Sequence, residues 1–290
     1  MLDQAHRLRE IASFERRKRL GDTTRHSRRI SVTSGKGGVG KSNFALNFAL
    51  TAAALNKKTL LIDADTNLAN IDILTGVSPK FNLSHVLAGL KNCREILLEG
   101  PSGIAILPAA SGAIEAAFDE GIASDSIISD LNSLEEDYDL VIFDTGAGVS
   151  RNVMDFLLIS DTIVLVTTPE PTAITDAYAI VKLASAERID LDIQVLVNFA
   201  SGKHEALEVY DRLSSVISHF LSTEVHFLGF IPRDPMLEKA VSMQEPLMRL
   251  FPKSASATQI KFITRKLIQP GAPISSEPLG FLGSLFKRRK

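Results

Sequence analysis

One stretch, Ser34 Gly35 Lys36 Gly37 Gly38 Val39 Gly40 Lys41 Ser42, limits what this chain can fold into more than any other. A strand-like run, Arg29 to Thr33, leads into it and a helix-like run, Asn43 to Leu55, leads out. Gly, four residues, Gly, Lys, Ser between a strand and a helix is the P-loop pattern. Its glycines let the backbone turn tightly, so that successive N–H groups converge on a concave nest. The N-terminus of the following helix adds partial positive charge to that nest. A triphosphate fits such a site, with Lys41 reaching the β and γ phosphates and Ser42 holding Mg²⁺. Lys36, a second lysine at the start of the loop, is the unusual letter. The same residues also read as a plain glycine-rich turn, so the remaining chain has to supply the other parts of a nucleotide site.

Two acidic strand ends answer the loop. Leu140 to Phe143 is an apolar run closing on Asp144, followed by Thr145 Gly146 Ala147 Gly148. That is the form of a Walker B strand, whose Asp faces Mg²⁺. Lys58 to Asp63 is another compact apolar run and ends in Asp63 Ala64 Asp65. Residues two apart in extended chain point the same way, so Asp63 is a candidate for metal-bound water and Asp65 for orienting the attacking water. Helix capping is the plainer alternative for this pair. Asn198, after Val195 Leu196 Val197, and Pro232 Arg233 Asp234, after Phe230 Ile231, are candidates to contact the base, with strand-end turns as the alternative. Asn198 is followed by Phe199 Ala200 Ser201, so a guanine-reading Asn-Lys-x-Asp pattern is missing and adenine is expected.

Further strands are expected at Ile104 to Leu107, Thr162 to Thr167, Ile193 to Val197 and Val225 to Phe230. Helices are expected at Ser124 to Leu134, Thr172 to Ala186, Ala206 to Leu221 and Ser254 to Ile268. Alternation of this kind gives an α/β fold, a mostly parallel twisted sheet with helices on both faces. Ligands in such sheets sit beyond the C-terminal ends of the strands. With 290 residues and 45% hydrophobic content, the chain has material for one large domain of this type.

The formal charge is only −2, so the molecule as a whole is no electrostatic sponge for nucleic acid. Charge is uneven, however: residues 1–29 carry nine Lys/Arg against four acids, and Lys287 Arg288 Arg289 Lys290 are all basic. Cys93 stands alone, which rules out an internal disulfide framework and disfavours an iron–sulfur carrier. A charged N-terminus gives no signal peptide, and the apolar segment Phe44 to Leu55 is broken by Asn47 and Thr51 and is too short to span a bilayer. The expected organisation is an N-terminal amphipathic segment and basic linker (1–28), an ATPase domain (29–268), a Pro/Gly/Ser-rich tether (269–278) and a basic amphipathic tail (279–290).

Taken together, these motifs resemble the MinD/ParA group of P-loop ATPases, whose loop carries the extra lysine found here as Lys36. Within that group the chain is most similar to the flagellar-number regulators, the FlhG family, also called FleN or YlxH. The segments that carry the similarity are Asp63 to Asp72, Leu83 to Leu87, Asp144 to Gly148 and Pro169 to Tyr178, with the match covering about residues 30 to 268. Asn67 departs from the pattern, standing where the family usually has glycine, although Asn tolerates left-handed backbone better than most residues. His85 is expected to be an exposed helix residue without a chemical role.

The resemblance implies an ATP-dependent homodimer in which Lys36 reaches the phosphates bound by the partner subunit. Asp3 Gln4 Ala5 His6 Arg7 Leu8 Arg9 is similar to the Asp-Gln-Ala-x-x-Leu-Arg segment by which that family stimulates the GTPase FlhF. In the tail, Phe281, Leu282, Leu285 and Phe286 fall on one helical face ahead of Lys287 and Arg288, the form of a helix that inserts into an anionic membrane surface. A flagellar transcription regulator or switch-complex protein is a further implied partner. The implied location is cytoplasmic, and peripheral on the inner face of the cell membrane when ATP is bound. Two alternatives share the fold: a ParA-type segregation ATPase that binds DNA, and a MinD-type regulator of the division site.

Overall fold

In a computed structural model, residues 27–65, 71–77, 79–108, 133–188, 190–221 and 223–268 are described. The activator-like segment with Asp3, Gln4, Ala5, Leu8 and Arg9, and the tail with Phe281, Leu282, Leu285, Phe286, Lys287 and Arg288, lie outside the described residues, as do Asn67 and most of the helix expected at Ser124 to Leu134.

Among the described residues, eight strands form one sheet in the order β3-β4-β2-β5-β1-β6-β7-β8. They are β1 (Arg28–Ser34), β2 (Thr59–Ala64), β3 (Leu98–Glu99), β4 (Ala105–Leu107), β5 (Leu140–Ala147), β6 (Thr162–Thr167), β7 (Ile193–Ala200) and β8 (His226–Pro232). Every pairing is parallel except β3 against β4, a two-residue edge. The central strands are buried on both faces, which is why β2, β5 and β6 read as unbroken apolar runs and not as alternating ones. The order places β5 between β1 and β2, so the P-loop at the end of β1 and Asp144 at the end of β5 emerge side by side. Neighbouring Cα positions in the register are Val32 with Asp144, and Asp63 with Asp144.

The described helices are α1 (Lys41–Ala54), α2 (Ile71–Thr75), α3 (Leu83–Leu87), α4 (Arg151–Ile159), α5 (Pro171–Glu187), α6 (Lys203–Leu221), α7 (Pro235–Ser242), α8 (Leu247–Leu250) and α9 (Ala255–Ile268). Helices α1, α7, α8 and α9 cover one face of the sheet around Ile30, Val32, Ile142, Val164 and Leu196. The opposite face is covered by α4, α5 and α6 against Ile163, Leu165, Val195 and Val197. Beside them, Leu83, Val86 and Cys93 pack on Leu60, Ile62, Val141 and Phe143.

Helix α1 is the helix that the P-loop starts, and it is buried on nearly all sides. Phe44 and Phe48, one turn apart, are stacked at 5.7 Å between ring centroids, and each is at most 1% exposed. Burying such a side chain contributes about 1.5–3 kcal/mol, so the loop is anchored to the best-packed part of the core. Asn47 and Thr51, which broke the apolar run in sequence, are buried with partners. Asn47 donates to the Asn43 carbonyl and accepts from the Met248 N–H of α8, and Thr51 donates to the Asn47 carbonyl. An all-round apolar helix with satisfied polar groups belongs in the core of a large domain.

Three expectations change. Helix α4 was not among the expected helices, because its nine residues are too short for a strong periodic signal; Ser150 caps it by accepting from the Val153 N–H. The antiparallel edge β3 was not expected either, since two residues carry no alternation. His85 is half-buried and not exposed: its Nδ1 accepts from the Asn82 N–H while Asn82 Oδ1 accepts from the Ser84 N–H, a reciprocal cap at the start of α3.

Candidate nucleotide site

The loop from Ser34 to Ser42 lies at the C-terminal end of the sheet, with β5 on one side and β6 on the other. Gly38 and Gly40 take left-handed backbone, φ +78° and +86°, which explains glycine at both positions. Gly40 is the residue before α1, and no side chain caps that helix. The first N–H groups of α1 are therefore free of side-chain partners at the mouth of the nest, as an anion site requires. Lys41 is 7% exposed, with its Nζ 3.8 Å from Asp144 Oδ1.

Gly35 is glycine for a different reason. A Cβ there would lie 2.3 Å from the Asp176 backbone carbonyl carbon and oxygen, so α5 packs directly against the loop. Neither backbone can yield cheaply. Gly35→Ala is expected to destabilise the fold by about 1–3 kcal/mol, visible as a lower melting temperature of the nucleotide-free protein; an unchanged melting point would show that α5 moves away at no cost.

Asp144 is fully buried, and neither of its carboxylate oxygens has a hydrogen-bond partner in the protein. Burial pushes its pKa up to about 6, against the pull of the Lys41 ammonium and the Ser42 hydroxyl. A buried carboxylate that lacks a geometrically formed hydrogen bond, close enough to the Ser42 hydroxyl at the head of the P-loop helix to feel it, is what a hard cation would complete. Mg²⁺ keeps most of its ligands as waters and phosphate oxygens, so one carboxylate and one hydroxyl suffice. Asp144 and Ser42 fit such an ion.

Asp63 is 2% exposed and accepts from the Ile71 N–H at 3.3 Å and the Asp65 N–H at 3.2 Å. Burial and then the Asp144 carboxylate raise its pKa to about 7. Its carboxylate thus joins the residue after β2 to the first residue of α2, contacts of the kind the capping alternative describes. Asp65 stands past the end of β2, half-buried, and reaches toward β5: a Cβ on Gly146 would lie 3.6 Å from Asp65 Oδ1. The Asp65 carboxylate is near enough to raise both Asp63 and Asp144 by its charge, so the three acids form one cluster at the strand ends.

Lys36 projects from the loop, 42% exposed, and pairs with Glu170 Oε2 at 2.7 Å, with Thr172 Oγ1 at 3.4 Å. The Glu170 carboxylate, through hydrogen bond and charge, raises the Lys36 pKa, and Lys36 holds Glu170 below the usual carboxylate range. Sequence analysis gave Glu170 and Thr172 no role. The signal was present in Glu170 Pro171, an acid and a proline at a helix start immediately after an apolar strand, which places α5's first turn at the ligand end of the sheet.

The residues expected at the base sit together near α1, but their polar groups are engaged by the protein. Asn198 is 2% exposed; its Nδ2 donates to the Val39 carbonyl at 2.7 Å and its Oδ1 accepts from the Phe199 N–H at 2.9 Å. Asp234 caps α7, accepting from the Met236 N–H, and also accepts from the Ser256 N–H of α9. Burial pushes the Asp234 carboxyl up, but those backbone N–H groups outweigh it and hold it below the usual range. The Pro232 carbonyl accepts from the Ser256 hydroxyl. A small cleft lined by Gly40, Asn43, Phe44, Asn198, Ile231, Leu237 and Ile260 lies between these elements.

Comparison with known proteins agrees with this geometry. An AAA domain matches residues 27–217. The antiactivator FleN of Pseudomonas aeruginosa is 35% identical over 89% of this chain and 92% of its own length. The flagellum site-determining protein YlxH of Helicobacter pylori is 34% identical over 99% of this chain and 98% of its own. Among solved structures, the septum site-determining protein MinD of Pyrococcus horikoshii, complexed with Mg-ADP, superposes with a TM-score of 0.69 over 87% of this chain and the whole of that one, at 24% identity. With a P-loop, a buried Asp on the adjoining strand and relatives matched along nearly their whole length, the chain belongs to the FlhG (FleN/YlxH) branch of the MinD/ParA family of P-loop ATPases.

Proposed function

We propose that this ATPase is a nucleotide-operated dimer that regulates the number and placement of flagella from the inner membrane surface, stimulating an FlhF-type GTPase through its N-terminal segment. The observation that carries the reading is Lys36, a lysine beside the P-loop that is held 2.7 Å from Glu170 of its own chain. Its side chain is exposed at the ligand end of the sheet, where a second subunit can be reached. A cation supplied to another subunit's phosphates stabilises charge that develops in phosphoryl transfer, as an arginine finger does.

The chain's own residues divide the work. The P-loop N–H groups of Gly35 to Ser42 and the Lys41 ammonium hold the phosphates of ATP. Asp65 orients the attacking water. Ser42 and Asp144 hold Mg²⁺, with Asp63 positioned to reach a metal-bound water through the same cluster. Mg²⁺, when bound, neutralises charge on the phosphates. Asn198, Pro232 and Asp234 frame the adenine side. Dimerisation on ATP would favour release of the tail, so that Phe281, Leu282, Leu285 and Phe286 enter the bilayer and Lys287 and Arg288 meet anionic headgroups. Such coupling needs the two states to differ in affinity for nucleotide and for lipid. No described helix is long and apolar enough to cross a membrane.

The names of the relatives support the flagellar assignment over plasmid segregation or septum placement: FleN is an antiactivator and YlxH a flagellum site-determining protein. A flagellar transcription regulator or switch-complex protein is a further partner on this proposal. The test is co-sedimentation with anionic vesicles in ATP and in ADP. Binding in ATP alone supports the switch; equal binding in both nucleotides rules it out. A companion experiment isolates the output. Gln4→Ala is expected to abolish stimulation of FlhF GTP hydrolysis while leaving this protein's ATPase rate unchanged, and equal loss of both activities would refute the division of labour. Retention on DNA that falls steeply with salt would instead favour the ParA-type alternative.

A further inference from the structure

We infer that Asn198 is a positioning residue for the phosphate loop: it locks the peptide between Val39 and Gly40 in the orientation that binds phosphate. The side chain sits at the end of β7, 2% exposed, with both ends of its amide engaged. Its partners fix which end is which. The Val39 carbonyl can only accept and the Phe199 N–H can only donate, so the NH₂ faces the loop and the oxygen faces its own strand.

A trans peptide points its C=O and N–H in opposite directions. With the Val39 carbonyl drawn back toward Asn198 at 2.7 Å, the Gly40 N–H is turned the other way, toward the nest. Rotating that one peptide would exchange them, presenting a carbonyl oxygen to a polyanion and removing a donor. Gly40 makes the rotation sterically open, because glycine adopts either sign of φ readily, and here it sits at +86°. No side chain caps α1 to hold the turn from the other side. The Asn198 amide is therefore the side-chain restraint on that peptide among the described residues.

The fold is shaped to deliver it. Phe199 takes φ +58°, a strained value for a residue with a side chain, and the register of β7 against β8 shifts between Asn198 and Ala200. That irregularity falls directly after Asn198, and pairing resumes at Ala200 with Pro232. Close approach then requires that position 40 have no side chain: a Cβ on Gly40 would lie 2.3 Å from Asn198 Nδ2 and 3.4 Å from Phe199 Cζ. One residue thus serves both needs, φ above zero for the nest and room for the amide behind it.

Inorganic tripolyphosphate, which has phosphates but neither ribose nor base, isolates the loop's share of binding. With Mg²⁺ present, Asn198→Ala and Asn198→Asp are expected to weaken tripolyphosphate about tenfold for loss of one buried hydrogen bond, and ATP by at least as much. Weaker ATP binding with tripolyphosphate unaffected would overturn the proposal in favour of a base contact. A lower melting temperature with the affinity of both ligands unchanged would also overturn it, since the amide would then serve only the fold. Should neither variant fold, wild-type protein labelled with ¹⁵N-asparagine gives the answer. The Asn198 side-chain amide signals are expected to shift when Mg²⁺ and tripolyphosphate fill the loop; signals unmoved at saturating tripolyphosphate would overturn the assignment.

Discussion

Alanine at position 41 is expected to lower ATP turnover by at least about a hundredfold and to weaken ATP binding, because in the proposed site the removed ammonium is the charge that meets the β and γ phosphates. The geometry adds a second effect. Lys41 is nearly buried and lies 3.8 Å from Asp144, whose oxygens have no hydrogen-bond partner. Two unit charges about 4 Å apart at an effective dielectric near 20 attract by about 4 kcal/mol, so losing Lys41 leaves Asp144 more costly to ionise. Its pKa, already up to about 6 from burial, should rise further and disfavour Mg²⁺ near neutrality. Turnover measured across Mg²⁺ concentrations checks both effects together, and activity near wild type at saturating Mg²⁺ would contradict the assignment of Lys41. In the proposed coupling the variant also loses ATP-dependent binding to vesicles. Undiminished vesicle binding would show that the tail is not under nucleotide control.

Lys36→Ala should separate binding from turnover. Both Lys36 and Glu170 are well exposed, so their pairing contributes little to stability, and the melting temperature should not move. ATP affinity of the isolated subunit should stay close to wild type, since the P-loop N–H groups and Lys41 are intact. Hydrolysis should fall by about 10³-fold or more, in the range known for removing a cation that completes a phosphoryl-transfer site. The decisive readout is specific activity against protein concentration: wild type should rise with dimer formation, and the variant should stay flat. A variant that still gains activity with concentration would remove Lys36 from the role. In wild type the ammonium must leave Glu170 before it can act on another subunit, so Glu170 is part of what sets the resting geometry.

The relation between sequence and structure differs from residue to residue. Gly38, Gly40, Lys41 and Ser42 were legible because a phosphate nest needs those residue types at that spacing in contiguous chain, and Asp144 because an apolar strand delivers it. For Asp63 and Asp65 local spacing told only part: β2 ends at Ala64, and the backbone N–H bonds that Asp63 accepts from Asp65 and Ile71 are not written in the alternation. The mistake over His85 came from treating a polar residue in a helical pattern as surface, when a five-residue helix used it as its own cap.

Residues whose purpose lies in a distant partner were invisible for a simple reason. Gly35 meets α5 at Asp176, Lys36 meets Glu170, and Asn198 meets Val39, each across more than a hundred positions of chain. By itself, the sequence determined the α/β class, the nucleotide loop and the acid on the neighbouring strand, because each is written in short-range order and periodicity. Only the tertiary structure decided where Lys36 rests, which face Asp63 serves and what Asn198 holds. Those follow from strand order, which places β5 and β6 against β1 and brings the ends of β7 and α5 over the loop, and no local pattern encodes that order.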